Sequence, residues 1–279
     1  MTSGKRISIT QIILLLASIS WLLVAGTPFY LMALTGFKAR FELMSGGSVF
    51  DLPEVFLFDN YREVLFEGPF LKYLGNSVFV VSISVLLILT LSAMSSYVFA
   101  RIKFRGRSVI FSLIIAGLVI PLHVTLIPVY LLTQQIGIYD TLWALIGPYV
   151  AFNLPLSIFI LTEFMRQIPI ELEEAARIDG SSTLNTFIKI ILPLSTPGMA
   201  TLAIYNAVML WNEFVFSFVL ILNPDSRTLP LAIWEYQGEY SMNIPAVMAV
   251  LTLSALPLIL LFIVGQERVI KGMMAGALK

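Results

Sequence analysis

The chain contains no cysteine and a single histidine, His123. The first absence excludes disulfides, thiolate metal sites and cysteine nucleophiles together. The second leaves nothing from which to build a histidine-based metal site. Charge is scarce as well. Lys, Arg, Asp and Glu make up 12% of the 279 residues, against about 25% in a soluble domain. The signs balance to a net charge of zero, which gives no electrostatic reason to expect nucleic acid. No Gly-x-x-x-x-Gly-Lys-Ser/Thr occurs, so the chain has no phosphate-binding loop of its own. His-Glu-x-x-His and Gly-x-Ser-x-Gly are missing too, and no nucleophile–base pair stands out. The expectation is a non-enzyme with no catalytic residue, metal or cofactor in this chain. No polar stretch is long enough to bury a core, so residues 1–279 are read as one transmembrane domain.

What the chain has in quantity is apolar sequence, 58% hydrophobic residues arranged in runs of membrane-spanning length. An all-α polytopic membrane protein is expected, with six spans at about 7–34, 76–100, 108–132, 141–165, 196–222 and 245–264. The first run follows Lys5 and Arg6, exceeds a signal-peptide core and lacks a small-residue cleavage pattern after it, so it reads as uncleaved. Residues 36–72 read as a folded hairpin or short helices at the membrane surface. Ser92, Ala93, Ser95 and Ser96 form a small patch suited to helix–helix contact in lipid. Pro121 and Pro128 fall inside the third run, and Pro155 is expected to kink or break the fourth. Residues 266–279 read as a tail.

Six spans place both termini on one side. On that side lie Lys5, Arg6, Arg101, Lys103, Arg105, Arg107, Arg166, Arg177, Lys189, Arg268, Lys271 and Lys279. The other side holds Lys38, Arg40, Arg62, Lys72 and Arg227, four of them in the longest loop. The positive-inside rule therefore puts the termini in the cytoplasm, together with the one long polar, charged stretch of the C-terminal two-thirds, 169–193.

In that stretch Pro169 suits a first helical position. Glu171, Glu173 and Glu174 suit the positive end of the helix dipole. Leu172, Ala175 and Ala176 fall at i, i+3 and i+4, a narrow face that two alanines keep flat enough for another protein's backbone to approach. Asp179 and Gly180 end the helix, with Gly180 free to turn left-handed. Ser181 or Ser182 caps a second short helix through Thr186 and Ile190, ending near Pro193.

The order Glu174-Ala175-Ala176, Gly180, Ile190, Leu192-Pro193, at these spacings, resembles the Glu-Ala-Ala (EAA) loop of ABC importer permeases. Asn76-Ser77-Val78, Tyr97, Arg101, Trp211-Asn212-Glu213-Phe214, and Gln266, Gly272, Gly276, Ala277 and Lys279 resemble the carbohydrate branch, nearest the maltose and glycerol-phosphate type. The resemblance implies a permease subunit of a binding-protein-dependent importer in a bacterial or archaeal cytoplasmic (inner) membrane, moving a sugar, oligosaccharide or polyol. It implies a heterodimer with a second, homologous permease subunit, two ATPase subunits carrying ATP and Mg, and an extracytoplasmic substrate-binding protein. It makes 169–193 a coupling helix, with Glu171, Leu172, Glu174, Ala175, Ala176, Asp179, Gly180, Leu192 and Pro193 as the ATPase-coupling residues. A non-sugar solute is the nearer alternative. A stand-alone secondary transporter would need ion-coupling acids at mid-membrane, where Glu213 alone qualifies.

Glu213 lies about 24 Å along a helix from Pro197. A carboxylate at that depth costs about 2.5–3.5 kcal/mol unless something satisfies it. Trp211 and Asn212 beside it offer a stacking surface and an amide for a sugar; the other reading is an interhelical hydrogen bond or a gate. Asn153, Tyr205 and Asn206 either line a translocation path or glue helices together. In the loop after span five, Thr228, Leu229, Trp234 and Tyr236 are candidates for contact with a binding protein, or the two aromatics anchor at the headgroups.

Overall fold

A computed structural model of the chain describes residues 8–236 and 243–277, and among these every regular element is helical. Two compact units separate. One comprises Met1–Leu71 and Ile233–Leu256, the other Lys72–Ala232 and Pro257–Lys279.

In the smaller unit, α1 (Ile9–Thr35) opens with Ser8, whose hydroxyl accepts from Gln11 N while the Gln11 side chain accepts from Ser8 N. Both bonds use amides that a helix start otherwise leaves unpaired. The helix is apolar along its length, and no residue of its spanning window is buried. The following segment folds as short helices, α2 (Arg40–Met44) and α3 (Asp59–Arg62), the latter running into a π-helical turn at Glu63–Glu67. Two side chains staple it to the end of α1. Asn60 Nδ2 donates to the carbonyls of Gly36 and Lys38, both at 2.9 Å. Tyr61 Oη donates to Ala33 O at 2.8 Å. Burial raises the Tyr61 phenol above its ordinary value. Gly36 has to be glycine here, because a Cβ would lie 2.5 Å from the Tyr61 oxygen.

In the larger unit, α4 (Phe70–Arg101) starts well before the expected residue 76. Its small patch is buried at Ser92, Ala93 and Ser96, and Ser96 Oγ donates to Ile158 O on α7 (Trp143–Arg166) at 3.1 Å. The third apolar run is broken. Arg107–Val119, which begins with α5 (Arg107–Ala116), and Leu122–Gln135, which ends with α6 (Leu126–Gln135), meet at 94°. Pro121 causes the break. Its ring disfavours the helical region for Ile120, and both residues are extended. Pro128 lies in the first turn of α6, where an amide is not needed. The expected break at Pro155 does not occur, and α7 runs unbroken through Pro148 and Pro155.

After α8 (Glu171–Ile178) and α9 (Thr183–Thr186), a π-helical turn (Phe187–Ile191) leads into α10 (Leu192–Leu194). Pro193 sits at the start of α10 instead of ending a helix. The chain bends only at Ser195, where Thr183–Leu194 meets Thr196–Trp211 at 69°. The expected fifth span begins at residue 196 as read but is interrupted: α11 (Thr196–Trp211) stops at residue 211, and the separate α12 (Val215–Leu220) follows. α13 (Ile244–Ala277) carries straight on through most of the expected tail; Lys279 lies outside the described residues. Among the described residues, four helices are long and apolar enough to cross a membrane, or six if each bent pair is one span.

Candidate coupling helix and the Glu213 cluster

The helix α8 is preceded by Ile170, whose carbonyl accepts from Glu173 N and Glu174 N at 2.9 and 3.1 Å. Pro169 therefore precedes the helix instead of occupying its first turn. At the other end Gly180 has φ +80°, Gly180 N donates to Arg177 O at 3.0 Å, and Ser181 N donates to Ala176 O at 2.9 Å. That paired closure needs a left-handed residue, which glycine supplies without strain. Ser182, of the two candidates, caps α9, accepting from Asn185 N at 3.3 Å.

The face expected to meet a partner, Leu172, Ala175 and Ala176, is split between the two sides of α8. Glu173 and Ala176 are buried, whereas Leu172 and Ala175 are exposed and Ile178 is 86% exposed. Ala176 is therefore unavailable to a partner. The reason is a charge pair that local sequence does not announce: Glu173 Oε1 lies 2.6 Å from Arg101 Nε, both side chains nearly inaccessible. Tyr97 Oη, one turn earlier on α4, donates to Glu173 Oε2 at 3.2 Å. Arg101 also donates through Nη2 to Ile168 O in the α7–α8 link. Beneath these polar groups Ala93, Tyr97, Leu161, Met165, Ile168, Phe187, Ile191 and Leu202 form one apolar core. Helix α8 is thus tied by charge to α4, whose Tyr97 belongs to that core.

Glu213 lies in the break between α11 and α12. Its carboxylate accepts from Tyr149 Oη at 2.7 Å, Phe216 N at 2.8 Å and Ser217 N at 3.3 Å. The two amides belong to the first turn of α12, where an acceptor is otherwise missing. Charge-assisted bonds contribute about 1.5–3 kcal/mol each, enough to offset the burial of the acid. Thr228 Oγ1 donates to Ser217 Oγ, which also meets Tyr149 Oη, both at 3.0 Å.

The same end holds a clamp on the following loop. Asn76 Nδ2 donates to the carbonyls of Asp225 and Arg227 at 3.0 and 2.8 Å, and Lys72 pairs with Asp225. Leu229 N donates to Ser77 Oγ at 2.9 Å. Asp140, with φ +61°, accepts from both Leu222 N and Asn223 N at 2.7 Å.

Residues 88–274 match the family described as binding-protein-dependent transport system inner membrane component. The chain belongs to that family. This permease subunit is 56% identical, over 93% of its length and 94% of the relative's, to an ABC transporter permease protein of Caldicellulosiruptor sp. strain Rt8B.4. It is 33% identical to the diacetylchitobiose uptake system permease protein of Streptomyces coelicolor, covering 94% of this chain and 86% of that one. Against the trehalose/maltose transport system permease protein of Thermococcus litoralis it is 32% identical, covering 96% and 97%. Its fold matches a chain in the crystal structure of a bacterial ABC transporter that imports alginate, with TM-score 0.77, 23% identity and coverage of 96% and 99%.

Several of the permease's sequence-predicted site residues fall elsewhere than expected. Trp211 is 8% exposed, so its ring is packed within the chain and offers no stacking surface. Asn206 is fully buried and donates to Ser157 Oγ at 3.1 Å and Leu202 O at 2.8 Å, joining α11 to α7 instead of facing a path. Asn153 Nδ2 donates to Tyr149 O, one turn back. Asn212 is exposed, its amide donating to Val208 O, and Tyr205 is exposed too. Thr228 and Leu229 are buried loop anchors, which removes them as binding-protein contacts; Trp234 is 39% exposed, and the Tyr236 side chain lies outside the described residues. Of the coupling candidates, Glu171, Leu172, Glu174, Ala175, Asp179 and Gly180 are exposed together on α8 and its end, while Leu192 and Pro193 belong to the bent helix that follows. Sequence reasoning did not assign Glu173 or Tyr149 to a site. The available signal for Glu173 was an acid three residues before the alanine that faces inward.

Proposed function

We propose that this permease carries a carbohydrate across the cytoplasmic membrane, driven by ATP hydrolysed on two partner subunits, and that α8 is the element those subunits move. The observation that carries the reading is the two-sided character of α8. Its inner face is locked to α4 through Glu173, and Arg101 of that pair also holds the α7–α8 link at Ile168 O, while Leu172, Ala175 and Ile178 stand exposed on the outer face. A helix anchored in this way moves as a rigid body with the spans that hold it. Closure of the ATPases would tilt α4, α7 and α11 together and exchange an inward-open for an outward-open path. A homologous permease subunit completes that path, and an extracytoplasmic binding protein delivers the cargo.

The carbohydrate class is supported by the diacetylchitobiose and trehalose/maltose relatives, whose similarity spans nearly the whole chain. Glu213 acts as a joint between α7 and α12 and not as a sugar ligand, since its oxygens are engaged within the chain. Tyr205, Asn153 and Asn212 remain as lining residues, and Trp234 as the aromatic for a binding protein or the headgroups. The excess of Lys and Arg at the α8 end supports a cytoplasmic location for that end and for both termini.

The test is uptake of labelled oligosaccharides by proteoliposomes holding the whole importer. Uptake requires internal ATP and the binding protein. Ala175→Trp on the exposed face abolishes it while the complex still inserts. Uptake driven by a proton gradient without ATP would refute the reading.

A further inference from the structure

At the end of the larger unit that carries Arg107 and Arg166 lies an open groove of about 550 Å³, lined by Phe104, Arg107, Ser108, Val109, Phe111 and Arg166. The α4–α5 link, whose Phe104 lines the groove, also carries exposed Lys103 and Arg105. Glu163 is paired with Arg166. The Arg166 guanidinium also sits over the Phe111 ring, 5.7 Å from its centroid. Arg107 donates to Phe99 O. Neither contact uses up the several N–H donors of a guanidinium, so each retains donors for an anion. The groove is therefore cationic, with positioned donors.

Its second feature is where it opens. From Val109, helix α5 continues as a bare apolar stripe, with Val109, Ile110 and Leu113 exposed by 64%, 46% and 67%. A free anion would use the cations and leave the stripe unoccupied. A neutral lipid would use the stripe and leave the excess positive charge, centred on Arg107, unmet. A molecule with a phosphate at one end and hydrocarbon at the other satisfies both.

We propose that this groove binds an anionic phospholipid, its headgroup phosphate held by Arg107 and Arg166 and its acyl chains laid along Val109, Ile110 and Leu113. Excess positive charge selects anionic over zwitterionic headgroups, and Lys103 and Arg105 add to that selection without touching the structure beneath.

The absence of cysteine makes the test direct. Leu113→Cys, placed on the stripe away from the cations, carries a fluorophore in the intact importer. The complex is placed in nanodiscs containing phosphatidylglycerol or phosphatidylcholine with brominated chains. Phosphatidylglycerol quenches more strongly at equal mole fraction. Arg166→Gln weakens its apparent binding about fivefold, and the exposed pair Lys103→Gln/Arg105→Gln weakens it in the same direction, about fivefold per charge removed. Inorganic phosphate does not displace it. Equal quenching by the two lipids overturns the proposal. So does displacement by inorganic phosphate, which assigns the groove to a free anion, or absence of quenching by either lipid, which means a protein partner covers it.

Discussion

Arg101 at the end of α4 and Glu173 in the first turn of α8 form an ion pair of 2.6 Å with both side chains almost wholly out of solvent. Removing one partner of such a pair leaves the other charge buried, which costs about 3–5 kcal/mol. Glu173→Gln and Arg101→Leu are each expected to lower the melting temperature of the purified importer. Glu173→Gln should lose less, because an amide still accepts from Tyr97. A double-mutant cycle measures the coupling, and values near zero would mean that the pair holds nothing.

A second prediction concerns Glu213. Tyr149→Phe removes its shortest side-chain bond, at an expected cost of about 1–3 kcal/mol. Because the acid serves a joint, Tyr149→Phe should reduce maximal uptake and stability while leaving the substrate concentration for half-maximal uptake unchanged. A large rise in that concentration would place Glu213 among sugar ligands.

Glycine positions separate packing from conformation. A Cβ on Gly198 would lie 2.9 Å from the Phe164 ring, so Gly198→Ala should destabilise by about 1–3 kcal/mol through overpacking. Gly180 has open space around it and φ +80°. Gly180→Ala should cost about 1–2 kcal/mol from left-handed strain alone, and Gly180→Asn, which tolerates that region, should recover much of it. Thermal unfolding of the three variants gives the comparison.

The loop clamp makes a prediction that needs no transport assay. Asn76 and Asp140 each hold two backbone groups of residues 222–227. Asn76→Ala or Asp140→Ala should release the loop and speed its cleavage by added protease in proteoliposomes, with α4 and α7 remaining protected.

The sequence made plain whatever depends on one element at a time. Apolar length located most of the helices and Gly180 marked the left-handed end of α8, whereas proline content did not say which run would break: the expectation fell on Pro155, and the 94° break is at Pro121. What it did not show depends on distant partners. Periodicity grouped Leu172, Ala175 and Ala176, yet the buried stripe of α8 is Glu173 and Ala176, because Arg101 arrives from another helix. Likewise Thr228 and Leu229 read as exposed polar-loop residues until Ser77 and Ser217 take up their hydrogen bonds. The stop at Trp211 was hidden as well: residues 212–214 are few and flanked by apolar sequence, and only Glu213 gathering the amides of α12 shows why the chain restarts there.

The measurement that bears most directly on the central claim is cross-linking from the exposed face of α8. Ile178→Cys, the sole cysteine in the chain, should form a cross-link of short span with the nucleotide-hydrolysing subunit that copurifies, and ATP should change its yield. In intact cells the same cysteine should be inaccessible to a membrane-impermeant thiol reagent added outside. Labelling from outside, or a cross-link only to lipid or to the second permease subunit, would contradict the account.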